Sequence, residues 1–202
     1  MQRARFLAGL GLLWHFAEAA IAIGAGVSAS SIALIGFGAD SLIEAAAGII
    51  LLWRFSSARS RSESAERNAQ RLIGISFYVI AAYVGFEAIR SLATASHPEA
   101  SWLGIGLAIV TLATMPPLAI AKARVGERLK SSATKSEGRQ NMLCAYLSIA
   151  LLVGLAGNAL FGLWWLDPAV ALLIALVAVR EGREAWRGES CGCCDAGPQN
   201  CA

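Results

Sequence analysis

The sequence predicts an all-α, polytopic membrane protein of six transmembrane helices, and three observations predict it. The 202 residues are 56% hydrophobic and 15% charged, with a mean hydropathy of +0.57, which is too apolar for an ordinary soluble domain and too patterned for a disordered chain. Apolar runs close to the ~20 residues needed to cross ~30 Å of hydrocarbon as a helix recur six times. They cover about residues 6–27, 32–53, 72–93, 102–121, 140–162 and 168–186. The basic residues then gather at alternate ends of these runs. Arg3 and Arg5 precede the first, Arg54, Arg59, Arg61, Arg67 and Arg71 follow the second, Lys122, Arg124, Arg128, Lys130, Lys135 and Arg139 follow the fourth, and Arg180, Arg183 and Arg187 close the sixth. Under the positive-inside rule both termini and two long loops are cytoplasmic. The net charge of +3 is therefore a topology signal, and no nucleic-acid partner is expected.

Met1 to Trp14 has the basic start and apolar core of a signal peptide, but the apolar run continues to Val27 and reads as the first span. That span carries His15 and Glu18, three apart and so on one face. After the turn Ser28 to Ser31, the second span holds Asp40 and Glu44 one turn apart. A carboxylate near the centre of a bilayer costs at least ~2.5 kcal/mol, so this pair marks a functional site. A rise of 1.5 Å per residue sets Glu18 and Asp40 each about 12 Å below the outer ends, with His15 and Glu44 a turn deeper. The two helices are thus expected to share one polar pocket. Gly36, Gly38, Ser41 and Gly48 on the second span read as close-packing positions.

The segment Ser56 to Gln70, rich in Ser, Arg and Glu, reads as a solvated connection or a helix extension. In the third span Glu87 and Arg90 are expected to pair with each other near the outer boundary. His97-Pro98-Glu99 punctuates the next loop, Trp102 anchors the fourth span, and Met115-Pro116-Pro117 is expected to break or kink it. On the fifth span Gln140, Cys144 and Ser148 recur every four residues as a polar stripe, with Asn141 beside it. Trp164-Trp165 marks the outer interface, and Asp167-Pro168 reads as the N-cap and first residue of the sixth span. Residues 1–187 form the transport-sized membrane domain. Residues 188–202 are a cytoplasmic tail carrying Cys191, Cys193, Cys194 and Cys201. In a reducing compartment these cysteines read as free thiols or metal thiolates that capture soft ions.

Asp40-Ser41-Leu42-Ile43-Glu44 on the second helix and Leu166-Asp167-Pro168 at the start of the sixth, with six spans and cytoplasmic termini, resemble the cation diffusion facilitator family of divalent-metal exporters. The resemblance implies a mid-membrane site of four ligands, two on the second helix and two on the fifth. It assigns Asp40 and Glu44 to the first pair and places Gln140 and Cys144 where the family has His and Asp; a second register uses Cys144 and Ser148. It also implies a homodimer, and a short membrane-only branch without the family's C-terminal cytoplasmic domain. No resident cofactor is expected, since the metal is cargo.

A thiolate beside carboxylates favours zinc-like ions, with cadmium, cobalt, iron and manganese as further candidates, over magnesium or calcium. Two buried carboxylates a turn apart do not both stay ionised cheaply once the metal leaves, so a proton is expected to replace it. The sequence thus reads as a metal/proton antiporter of the cytoplasmic membrane. His15, Glu18, Asn141 and Ser148 are additional polar or proton-coupling candidates. The alternative is a non-transporting metal binder or modulator with the same fold. An enzyme is not expected, because no nucleophile is paired with a base and no His-Glu-x-x-His run occurs.

Overall fold

The computed structural model describes residues 2–56, 63–128 and 132–187. Within them lie six helices: α1 (Gln2–Ala29), α2 (Ile32–Ser56), α3 (Glu63–Ala93), α4 (Trp102–Arg128), α5 (Ser132–Phe161) and α6 (Leu166–Arg187). Each of the six expected spans is one helix. By length and apolar composition, Gly9–Ala29, Arg71–Ala93, Trp102–Arg128 and Gly138–Phe161 are able to cross a membrane. The chain is an integral, multi-pass membrane protein.

The helices pack mainly as α1 on α2, α3 on α6 and α4 on α5, and α2 also touches α3, α5 and α6. That central position follows from its composition. Small residues on several faces let neighbours approach, and Leu34 and Phe37 fill the space between them with Met115, Leu151, Leu155 and Ile174. Large apolar side chains such as Leu13, Val79, Phe86, Leu160 and Leu176 point outward, as lipid contact requires.

Gly38 is one position where close approach decides the residue. A Cβ there would lie 2.8 Å from Ile23 Cγ1 and 3.0 Å from both the Ala22 Cβ and the Ile23 backbone nitrogen. Gly38→Ala is therefore expected to wedge α1 from α2 and cost about 1–3 kcal/mol, read as an earlier thermal melt in detergent.

The short connections at one end of the bundle are tied together. Glu99 donates its N–H to Ala29 O at 2.9 Å, Asn158 Nδ2 donates to Pro98 O at 2.8 Å, and the His97 ring meets Trp164. Gly162, at a φ of 67°, ends α5 in the left-handed conformation that glycine tolerates best. Glu87 and Arg90 form the expected pair at 3.1 Å.

Four expectations are corrected. First, Asp167 does not cap α6, which begins at Leu166; it caps α2. Its Oδ2 accepts the N–H of Ile32 at 2.9 Å and of Ala33 at 3.3 Å, while Oδ1 accepts the Ser31 hydroxyl. Ser31 Oγ in turn accepts the N–H of Leu34 at 3.1 Å, so the otherwise orphaned donors of the first turn are satisfied. Second, α4 runs unbroken through Pro116 and Pro117. The neighbouring α5 packs along it and holds the helix together where two backbone donors are missing. Third, the connection between the fourth and fifth spans is helical up to Arg128 and again from Ser132, whereas in the earlier connection the residues from Glu63 extend α3, as the helix-extension reading has it. Fourth, Lys122 is no loop charge but a buried residue of α4. The tail cysteines Cys191, Cys193, Cys194 and Cys201 lie outside the described residues.

Candidate functional site

The polar side chains of the first two helices meet as expected, and Glu18 is the hub of the cluster. It is buried on α1 and accepts hydrogen bonds from three other helices. Ser41 Oγ of α2 donates at 3.0 Å, Thr111 Oγ1 of α4 donates to the other oxygen, and the Cys144 thiol of α5 lies at 3.8 Å. The 3-residue spacing of His15 and Glu18 turns both side chains to the same neighbours. His15 Nδ1 stands 3.5 Å from Glu18 Oε2 and 3.2 Å from Glu44 Oε2.

Glu44 reaches across to α5, where Gln140 Nε2 donates to its Oε1 at 2.8 Å. Gln140 therefore presents its amide N–H₂ to the acid. Asp40 is buried one turn along α2, within the electrostatic reach of Glu18 and of Glu181 on α6. Cys144 is buried against Glu18.

Asn141 and Ser148 go elsewhere. Asn141 accepts from Lys122 Nζ at 3.1 Å and donates to Met115 Sδ at 3.0 Å, and Ser148 Oγ donates to the Cys144 carbonyl at 2.8 Å. Neither side chain makes these bonds toward the acids. Sequence reasoning passed over Thr111, Lys122 and Glu181, the last beside Gln140. Thr111 lies seven residues from Gly104 and four from Met115, all buried on one α4 face, and that periodicity was its available signal.

Chemically, the arrangement gathers three carboxylates, one imidazole and one thiol in a low-dielectric interior. Like charges 4 Å apart repel by ~4 kcal/mol even at an effective dielectric constant of ~20, so the acids call for a cation or protons among them. As they stand, no three His, Cys, Asp or Glu side chains among the described residues surround one common point. Contacts run instead as a chain from Glu44 through His15 and Glu18 to Cys144.

Residues 10–187 match the family model described as the cation efflux transmembrane domain. The chain belongs to the cation efflux family. The match takes in the site and all of α2 to α6. Among its relatives is an uncharacterized transporter of Synechocystis sp., 28% identical over 173 residues, covering 82% of this chain and 56% of the relative. Transmembrane protein 163 of Xenopus laevis is 26% identical over 159 residues, covering 77% of this chain and 55% of that protein. The chain thus spans about half the length of these two relatives. Within this family domain Asp40 and Glu44 are both buried on α2, and Glu44 is hydrogen-bonded to Gln140 of α5.

Proposed function

We propose that this protein is a secondary transporter of a divalent transition-metal cation, zinc-like in its chemistry, which exchanges the metal for protons. The observation that carries the reading is the pair Asp40 and Glu44, both buried one turn apart on the central helix, with Glu44 linked to Gln140 of α5. A divalent ion that gives up its water needs compact anionic ligands from more than one helix. In this reading Asp40 and Glu44 supply the charge, Cys144 supplies a soft donor, and Gln140 holds Glu44 and offers its remaining carbonyl oxygen. When the ion leaves, protons take its place among the acids. Rocking of the bundle then exposes the site to one side of the membrane and afterwards to the other. The protein is taken to work as a homodimer in the cytoplasmic membrane.

The test is paired metal-dye and pH-dye flux in proteoliposomes across a panel of divalent ions. Zinc uptake driven by an imposed pH gradient, with counterflow of protons, is the expected result. Metal flux wholly independent of the gradient overturns the exchange, and metal retained by the purified protein without any flux favours a binding protein. Deleting residues 191–202 is expected to slow transport only at limiting metal, because the clustered thiols raise the local ion concentration. Unchanged initial rates at limiting zinc overturn that role.

A further inference from the structure

Lys122 is buried on α4 with 3% of its surface exposed, inside a helix that is able to cross the membrane. An ionisable side chain kept at such a place is costly and marks a role. Its Nζ donates to Oδ1 of Asn141 on α5 at 3.1 Å, and Asn141 Nδ2 donates in turn to Met115 Sδ at 3.0 Å. Met115 and Lys122 are seven residues apart on one buried face of α4, so the Asn141 amide is a polar knob seated between them. The third wall is α1. A Cβ at Gly11 would lie 2.7 Å from Lys122 Nζ, so the space that a side chain at Gly11 would fill is the space that the ammonium occupies.

We infer that Lys122 is a positioning residue of the exchange site: seated against Gly11, it holds through Asn141 the turn of α5 that presents Gln140 and Cys144 to the acids. This rests on the proposed function and deepens it by naming what aims the α5 side chains. Asn141 follows Gln140 and lies three residues before Cys144, so the three share about one turn of helix. Gln140 reaches Glu44 at 2.8 Å, and Cys144 lies 3.8 Å from Glu18. Side chains stand about 5–6 Å from a helix axis, so a rotation of about 20° carries their tips about 2 Å, further than a hydrogen bond tolerates. Apolar contacts between α4 and α5 carry no direction, whereas the bond from Lys122 to Asn141 fixes one angle between them.

Gly11→Ala is the sharpest test, because the nearest neighbours of its methyl are the flexible end of Lys122 and Leu118, both on α4. Gly9→Ala, with no atom within 4 Å of the new methyl, is the matched control. The sequence holds five cysteines, and Cys191→Ser, Cys193→Ser, Cys194→Ser and Cys201→Ser together leave Cys144 as the single thiol. In that full-length background in detergent, N-ethylmaleimide is expected to modify the buried Cys144 at least tenfold faster in Gly11→Ala, Lys122→Met and Asn141→Leu. Gly9→Ala is expected to keep the parent rate, as is Asn141→Asp, which retains an acceptor for Lys122. In proteoliposomes the zinc concentration for half-maximal flux is expected to rise at least fivefold in the same three variants, with the maximal rate within twofold of wild type. Lys122→Met combined with Asn141→Leu is expected to be no worse than either alone. Gly11→Ala with parent labelling and wild-type half-saturation overturns the inference, as do additive effects in the double variant. Labelling that rises only in step with a lowered melting point assigns Lys122 to stability alone and overturns it too. Wild-type protein without zinc flux overturns the exchange, and the labelling rates then decide on their own whether Lys122 holds α5.

Discussion

Replacing Asp40 by Asn is expected to abolish zinc flux in proteoliposomes, with a fall of at least ~100-fold in the rate at subsaturating metal. The side chain keeps its volume and loses its charge. Disturbing even the outer partners of a metal ligand costs 10–100-fold, so removing the charge that the proposed function assigns to the metal costs more. The variant is expected to fold well, because relieving one of several buried like charges removes repulsion without opening a cavity. An unaltered or raised melting temperature beside absent flux separates loss of the site from loss of the fold. Glu87→Gln is the matched control. That carboxylate is engaged by Arg90 near the end of α3, and its variant is expected to transport as wild type does. Retained flux in Asp40→Asn dismisses the assignment.

Asp167→Ala is the substitution expected to cost the most stability among those away from the acids. One carboxylate serves two backbone donors and a hydroxyl at the start of α2, and alanine serves none. Losing an N-cap costs about 1–2 kcal/mol, and hydrogen bonds to a charged acceptor are worth about 1.5–3 kcal/mol. A loss of about 2–3 kcal/mol corresponds to a melting point lower by roughly 4–12 °C for a chain of this size. Tryptophan fluorescence during a thermal scan in detergent measures it. Asp167→Asn, which keeps an acceptor oxygen, is expected to lose less than half as much. Equal melting points for Asp167→Ala and wild type dismiss the cap.

The helices were legible because membrane spans are written in a one-dimensional signal. Each apolar run reports its own length, and the clusters of Arg and Lys report its ends. The acids Glu18, Asp40 and Glu44 were legible for the related reason that a charge in such a run is anomalous wherever it occurs. Partners were harder to read. Thr111 and Ser41 carry no anomaly, since hydroxyls in membrane helices commonly bond to their own backbone, as Ser148 does here. Lys122 was misread because its charge sits beside Arg124 and Arg128 in a basic cluster. Only tertiary packing reveals that its long side chain turns inward to Asn141. Asp167 was misread for a similar reason. Asp-Pro at the start of a helix is the local pattern of a cap, and nothing local tells whether the carboxylate caps its own helix or a neighbour 135 positions earlier in the chain.

Held by Asp167, α2 is tied to α6 where it leaves the Ser30–Ser31 turn. Parting the two helices there would strip backbone N–H groups in a region with little water to replace the carboxylate, at a cost of several kcal/mol for each. That end of the pair is therefore a fulcrum. In the proposed exchange, passage to the acids opens along another seam, between α2 with α6 and the packed pair α4 with α5. In the proposed exchange, the hydrogen bond from Gln140 of α5 to Glu44 of α2 is the latch on that seam that the opening stroke releases.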